Sequence, residues 1–138
     1  MAAVHRFEDL FAWQLSSELR DEILPITERR VWKDWTFRDQ IRDSASSPPR
    51  NIAEGFGRFR PTEFAYFVRV AAASLHETRN HLHDARTRKY INGEEANRLL
   101  KLQARARKAT TGLLRYLESC GGEPPTNKDK KPKNPKNP

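Results

Sequence analysis

Apolar residues recur at every third or fourth position along four successive segments of this 138-residue chain. This spacing places them on one side of an α-helix, and no segment shows the alternation that is typical of a β-strand. Four helices of roughly 20 or more residues joined by short turns pack as an antiparallel, up-and-down bundle. The sequence therefore predicts an all-α four-helix bundle in residues 1–120, which is long enough to enclose one hydrophobic core.

Turn and capping residues indicate where these helices begin and end. The first helix is predicted to start near Asp9, and Asp34 is a suitable N-cap for the second. Pro61 suits the first turn of the third helix. The fourth helix follows the turn Asn92-Gly93 and ends near Ser119.

Two consecutive prolines, Pro48 and Pro49, lie inside the second segment without interrupting its apolar spacing. A proline within a helix removes one backbone hydrogen bond and bends the helix. We therefore predict a proline-kinked second helix. The alternative is a break, with Ser47 as N-cap and Pro48 at the first position of a new helix. In either case Gly55 or Gly57 is expected to end the helix in a left-handed cap.

A group of polar residues and one glycine surrounds the prolines and forms a predicted corner between helices 2 and 3. Its members are Gln40, Asn51, Glu54 and Gly55. Glu54 and Arg58 are four residues apart, in the order that favours an ion pair on a helix. The group either lines a polar pocket or satisfies backbone groups that the prolines leave without partners. We favour the structural role.

The chain is strongly basic, with a net charge of +8. Residues 121–138 contribute five lysines and two acidic residues, so the remaining residues keep a net charge of +5. These last residues contain no apolar side chain except proline, and we predict a disordered basic tail. A basic protein of this kind favours polyanionic partners such as RNA or DNA.

Five cations of the fourth segment follow a helical spacing of three, four, three and seven residues. At about 100° per residue they lie opposite the apolar side, and no acidic residue occurs between positions 96 and 117. They form a predicted nucleic-acid-binding stripe, to which two arginines of the turn before helix 3 are added; the alternative is an ordinary solvated helix face. The predicted binding residues are Arg98, Lys101, Arg105, Lys108, Arg115, Arg58 and Arg60. No base-reading motif is present, so binding without sequence specificity is expected.

No other residues form a convincing site. Among the possible metal ligands of helix 3, only Glu77 and His81 have a suitable spacing, and we expect a hydrogen bond there rather than a metal site. No nucleophile stands beside a base, so neither a cofactor nor an enzymatic activity is predicted. No apolar run approaches the roughly 20 residues that span a bilayer, and no membrane association is expected. The single cysteine, Cys120, favours a cytoplasmic protein.

Three segments carry a family resemblance: NIAEGFGR at 51–58, FEDLFAWQ at 7–14, and ASLHE at 73–77. Together they resemble the four-helix-bundle proteins encoded in intervening sequences of bacterial 23S ribosomal RNA genes. The resemblance implies a bundle that assembles as a homopentamer. That family is similar in fold to accessory proteins of diversity-generating retroelements, which are basic pentamers that bind nucleic acid and a reverse transcriptase. Pro49 departs from the family pattern, which more usually has a small or polar residue there.

Charge, pattern and resemblance together predict a non-enzymatic, homo-oligomeric protein that binds nucleic acid or acts as an accessory protein. The alternative is a scaffold for a protein partner, such as a reverse transcriptase or another acidic protein. The same basic surface would serve either role.

Overall fold

The computed structural model describes residues 4–120. The predicted tail at 121–138 therefore lies outside the described residues. A short 3₁₀ turn precedes four α-helices, and residues 4–120 contain no β-strand. The 3₁₀ turn is Phe7–Asp9, and the helices are α1 (Phe11–Ile26), α2 (Trp35–Phe56), α3 (Pro61–Thr87) and α4 (Gly93–Cys120). The prediction of an all-α, four-helix fold is confirmed.

The start of α1 differs from the prediction. The Leu10 N–H donates to the Phe7 carbonyl at 3.0 Å, which closes the 3₁₀ turn. Leu10 itself is extended, with φ −78° and ψ 128°, so the α-helix begins at Phe11 rather than near Asp9. The Gln14 amide donates to the Glu8 carbonyl at 2.8 Å and thereby fastens the turn to the first turn of α1.

α2 runs through Pro48 and Pro49 without interruption, as predicted, so the alternative of a break at Ser47 and Pro48 is wrong. The bend at the prolines stays a prediction. The predicted left-handed glycine cap is also wrong. Gly57 has φ −77° and ψ −1°, and its N–H donates to the Glu54 carbonyl at 3.2 Å. A right-handed last turn therefore ends α2, and Gly55 lies inside the helix.

The left-handed cap occurs instead at the end of α3. Lys89 has φ 66° and is the only non-glycine residue with positive φ in residues 4–120. The Tyr90 N–H reaches back to the Ala85 carbonyl at 2.9 Å, and the Lys89 N–H donates to the Arg86 carbonyl at 2.9 Å. These bonds satisfy carbonyls that the helix end leaves free.

The largest core cluster combines the end of α1, the start of α2, the end of α3 and the start of α4. Its aromatic part stacks Trp32 on Phe37 with 5.6 Å between ring centroids, and Tyr90 lies 4.9 Å from Trp32. Two smaller clusters combine the opposite ends of the same helices. Their buried members are Ala12, Ile52, Ala65, Val68, Ala71 and Leu117. The core is therefore divided between the two ends of the helices.

Buried hydroxyl groups join α2 to α3 in the middle of the bundle. Thr78 Oγ1 lies 2.9 Å from Ser44 Oγ and 2.8 Å from the Ser74 carbonyl oxygen. Ser44 Oγ in turn donates to the Ile41 carbonyl at 3.2 Å. Ser44 and Thr78 are almost fully buried, so these bonds compensate for lost hydration. They also restrict how α2 can slide along α3.

Ion pairs join the helices at the end of the bundle that contains the α1–α2 and α3–α4 connections. The Asp34 carboxylate accepts from the Phe37 N–H at 3.0 Å, which confirms Asp34 as the N-cap of α2, and from Arg88 at 2.8 Å. The Phe37 N–H and then the Arg88 guanidinium lower the pKa of Asp34. Likewise Arg29 pairs with Glu95 at 2.7 Å and is the main cause that lowers the pKa of Glu95.

Candidate nucleic-acid interface

Hydrogen bonds in the first turn of α4 determine the residue at which this helix begins. The Glu95 N–H donates to the Asn92 side-chain oxygen at 2.8 Å, and the Asn92 N–H donates to the Glu95 carboxylate at 3.1 Å. This reciprocal pair is a capping box. Because it fixes where α4 begins, it also fixes which residues of α4 face the core and which face solvent.

The predicted cations of α4 all lie on the exposed side of the helix. The opposite side is buried through Ala96, Leu99, Ala106 and Leu117. The exposed cations are Arg98, Lys101, Arg105, Lys108 and Arg115. We call these five residues the basic stripe; it is about 25 Å long at 1.5 Å per residue.

The charges of the basic stripe are mostly free of ion pairs. Arg98 is the exception, since its guanidinium pairs with Glu22 of α1. Within residues 4–120, none of the other four cations lies within 4.0 Å of a carboxylate, and α4 carries no acidic residue between Glu95 and Glu118. These four charges remain available to an anionic ligand.

Two further arginines extend the positive surface beyond the predicted residues. Arg107 lines a shallow depression with Arg105, Lys108 and Arg115. With Arg79 of α3 it also lines a second depression, which runs between α3 and α4. The spacing of Arg107 in α4 places it toward α3, at the edge of the apolar side. A helical projection could have found Arg107, but the contribution of Arg79 requires knowledge of how the two helices pack.

The floor of the depression between α3 and α4 includes a buried amide. Gln103 is 1 % exposed, and its Nε2 donates to the Leu75 carbonyl at 2.9 Å. This bond links α4 to the middle of α3, where the wall of the depression is formed by Arg79 and His83. The cations on both walls are therefore carried by two helices that are held to each other.

The two predicted arginines outside α4 lie in the turn between α2 and α3. Arg58 pairs with Glu54 at 2.8 Å, and its guanidinium lies 4.8 Å from the centroid of the Phe67 ring. Arg60 is largely exposed and lies 3.9 Å from Glu63. This turn is at the same end of the bundle as Arg115, because residues of α4 near Arg115 pack on the first turns of α3.

One member of the predicted polar corner, Asn51, takes part in a side-chain contact between α2 and α3. Asn51 Nδ2 lies 2.9 Å from the Ser47 carbonyl oxygen and 3.0 Å from Ser47 Oγ. Ser47 Oγ lies 2.7 Å from Ser74 Oγ of α3. Within residues 4–120 no side chain donates to the carbonyls of Ser44 and Ala45, the two that Pro48 and Pro49 leave free. The contacts among Asn51, Ser47 and Ser74 thus connect two helices and do not cover the carbonyls that the prolines leave free.

Gly55 belongs to this corner, whereas Gln40 lies away from it. A Cβ atom on Gly55 would lie 2.7 Å from Phe67 Cβ and 2.8 Å from Phe64 Cδ1, so α3 packs directly on the glycine backbone. Gln40 is exposed on α2, about 16 Å before Asn51 along the helix axis. The structure does not bring Gln40 to the other members.

The possible metal ligands of α3 form one weak pair. His81 Nε2 lies 3.4 Å from Glu77 Oε2, and the histidine is buried against Phe37. Residues 4–120 contain no group of three or more residues that could hold a metal ion. Cys120 is exposed, and its hydrogen bond raises the pKa of the nearby Tyr116.

The fold and the stripe define an all-α, four-helix protein with a basic outer helix face. The sequence model of the 23S rRNA-intervening sequence protein family matches residues 8–112. The chain belongs to this family, as its sequence resemblance indicated. No curated protein matches the chain. None of the described helices combines the length and the apolar character that crossing a membrane requires.

Proposed function

We propose that the protein is a non-enzymatic, homo-oligomeric, cytoplasmic nucleic-acid-binding protein, and that the basic stripe contacts phosphates of RNA or DNA without reading sequence. One observation carries the proposal: Lys101, Arg105, Lys108 and Arg115 form an exposed row of cations that no carboxylate within residues 4–120 neutralises. Phosphate contacts supply most of the affinity in binding of this kind.

Assembly would increase the strength of these contacts. The family resemblance implies a homopentamer, and copies of one stripe on a single particle act at a high effective concentration on the same strand. A modest affinity per subunit would then give useful binding. The depression between α3 and α4, with Arg79 and Arg107, widens the positive surface that each subunit offers.

The first experiment removes three charges from the stripe. The variant Lys101→Gln, Arg105→Gln, Lys108→Gln is compared with the wild type by fluorescence anisotropy on a labelled nucleic-acid duplex over a series of salt concentrations. Each lost phosphate contact changes the slope of log K against log salt by about 0.9. We therefore expect the slope to become shallower by about 2 to 3.

A matched control removes three charges elsewhere. Arg30, Lys33 and Arg50 are exposed, lie outside α4, and have no carboxylate within 4.0 Å in residues 4–120. The control variant Arg30→Gln, Lys33→Gln, Arg50→Gln has the same net charge as the stripe variant and retains residues 121–138. We expect its salt slope to change by less than about 1. Equal slopes in the two variants would mean that net charge, and not the stripe, determines binding.

A scaffold for an acidic protein would use the same cations, so a second measurement separates the two functions. The tagged full-length protein is isolated from cells with and without nuclease treatment. We expect co-purifying nucleic acid, and we expect proteins held through it to be released by nuclease. A stoichiometric protein partner that survives nuclease and is lost in the stripe variant would establish the scaffold role instead.

A further inference from the structure

Phe59 is the most exposed large hydrophobic residue of the described chain, with a relative exposure of 103 %. It lies in the turn between α2 and α3, and three phenylalanines of these two helices make contacts nearby. Phe56 packs edge-to-face on Phe64 with 5.9 Å between centroids, and Phe67 lies under the Arg58 guanidinium. The fold therefore uses the neighbouring rings and leaves the ring of Phe59 in solvent.

The residues on either side of Phe59 are both arginines. Arg58 is held in place by Glu54 and by the Phe67 ring. The Arg60 side chain is 76 % exposed and has only a long contact of 3.9 Å with Glu63. The turn thus presents an accessible aromatic face between two positive charges.

We propose that Phe59 stacks on an unpaired base of single-stranded nucleic acid, while Arg58 and Arg60 contact the phosphates on either side of that base. Aromatic side chains combined with basic grooves are the common means of binding single strands, because every base offers a face for stacking. In a duplex these faces are already occupied by neighbouring bases. This inference rests on the proposed function and adds a preference for unpaired strands.

The charges argue against a two-fold contact between copies of the chain at this turn. A symmetric contact between two Phe59 residues would bring Arg58 and Arg60 of both copies together, and like charges across an interface are unfavourable. A nucleic-acid strand carries the complementary charge. Arg115 lies at the same end of the bundle as this turn, so the basic stripe leads toward Phe59.

The test compares Phe59→Ala and Phe59→Trp with the wild type in the full-length protein. The probes are a fluorescein-labelled single-stranded oligothymidylate and a labelled duplex of equal length, at one low salt concentration. Loss of one stacked base weakens binding by about fivefold or more, so we expect Phe59→Ala to raise the Kd for oligothymidylate by at least that factor. The duplex Kd and the salt slope should stay within about twofold of wild type, because no charge is removed.

Two controls make the result specific. Phe59→Trp keeps an aromatic face and should retain oligothymidylate binding. Trp35→Ala removes another exposed aromatic residue, 65 % accessible, at the opposite end of the bundle and should change neither Kd. Circular dichroism and light scattering check that each variant keeps its fold and its particle mass.

The possible failures are distinguishable. If the wild type binds the duplex but Phe59→Ala loses no affinity for oligothymidylate, or loses equal affinity for both probes, the stacking role is wrong while the proposed function stands. A change of particle mass in Phe59→Ala would assign Phe59 to a contact between copies and also overturn it. If the wild type binds neither probe at low salt, both proposals fail.

Discussion

Gly55 allows the most direct test of how α2 packs on α3. In a helix interior glycine is less favourable than alanine by about 1 kcal/mol, so a Gly→Ala substitution would ordinarily stabilise the fold. At Gly55 the new Cβ atom would lie 2.7 Å from Phe67 Cβ and 3.3 Å from the Phe64 carbonyl oxygen. Neither atom can move unless α3 moves with it. We therefore expect Gly55→Ala to destabilise the protein.

The size of the effect follows from two opposing terms. Overpacking of this kind costs about 1 to 3 kcal/mol, and the contacts to a Cβ atom and a carbonyl place Gly55 in the upper part of that range. The helix propensity of alanine offsets about 1 kcal/mol of it. The net expectation is a loss of about 1 to 2 kcal/mol in the free energy of unfolding.

Gly112 provides the matched control, because it is also inside a helix but a Cβ atom there would have no neighbour within 4 Å. Gly112→Ala should stabilise the protein by about 1 kcal/mol. The propensity term is the same in both variants, so their difference of about 2 to 3 kcal/mol isolates the steric term.

The assay is urea unfolding followed by circular dichroism, at one protomer concentration because assembly would contribute to the measured stability. The m-values should agree within error, which shows that the variants differ in stability and not in compactness. If Gly55→Ala were as stable as Gly112→Ala, the close approach of α3 to Gly55 would not be a determinant of the fold.

Two further predictions concern the polar contacts between helices. Thr78→Val removes the hydroxyl that lies 2.9 Å from Ser44 Oγ in the core, and should cost about 1 to 2 kcal/mol in urea unfolding. Thr111→Val, on the outer part of α4, should change stability by less than about 0.5 kcal/mol; similar losses in both would argue against the buried contact. Asp34→Asn tests pH dependence. In the folded state the first-turn N–H of α2, and then Arg88, lower the pKa of Asp34. The ionised carboxylate therefore stabilises the fold above its unfolded pKa of about 3.9, and this advantage disappears as the pH falls through the lower folded value. The stability difference between wild type and Asp34→Asn should shrink below about pH 4. A difference that is constant with pH would show that the ionised Asp34 carboxylate does not stabilise the fold.

Features that depend on nearby residues were predictable from the sequence. The N-cap at Asp34 follows from a side chain that can accept a first-turn N–H. The exposure of Lys101 and Arg105 follows from their angular distance from Leu99 and Ala106 on a regular helix. Both depend only on the geometry of a single helix.

Features that depend on contacts between helices were not predictable. From the sequence alone Gly55 is expected to end the helix. In the structure its lack of a side chain lets Phe64 and Phe67 of α3 pack against α2. Arg98 belongs to the stripe by spacing, but its partner Glu22 is on another helix. A left-handed cap at a lysine contradicts the usual preference for glycine and reflects the bonds that close the end of α3.

The residues that carry the family resemblance and the residues that carry free positive charge lie in different places. Asn51 bonds Ser47, which contacts Ser74, and Gly55 touches Phe67, so segment 51–58 is engaged mainly in holding α2 to α3. The cations of the basic stripe beyond Arg98 have no such engagement within residues 4–120. Substitutions in the corner should therefore alter binding through the folded fraction, whereas substitutions in the stripe should alter it at constant stability. A corner variant shows that a residue contacts the ligand only if its binding is weaker than that of the wild type at the same folded fraction. Within segment 51–58 we expect this result for substitutions of Arg58, because it lies at the edge of the turn.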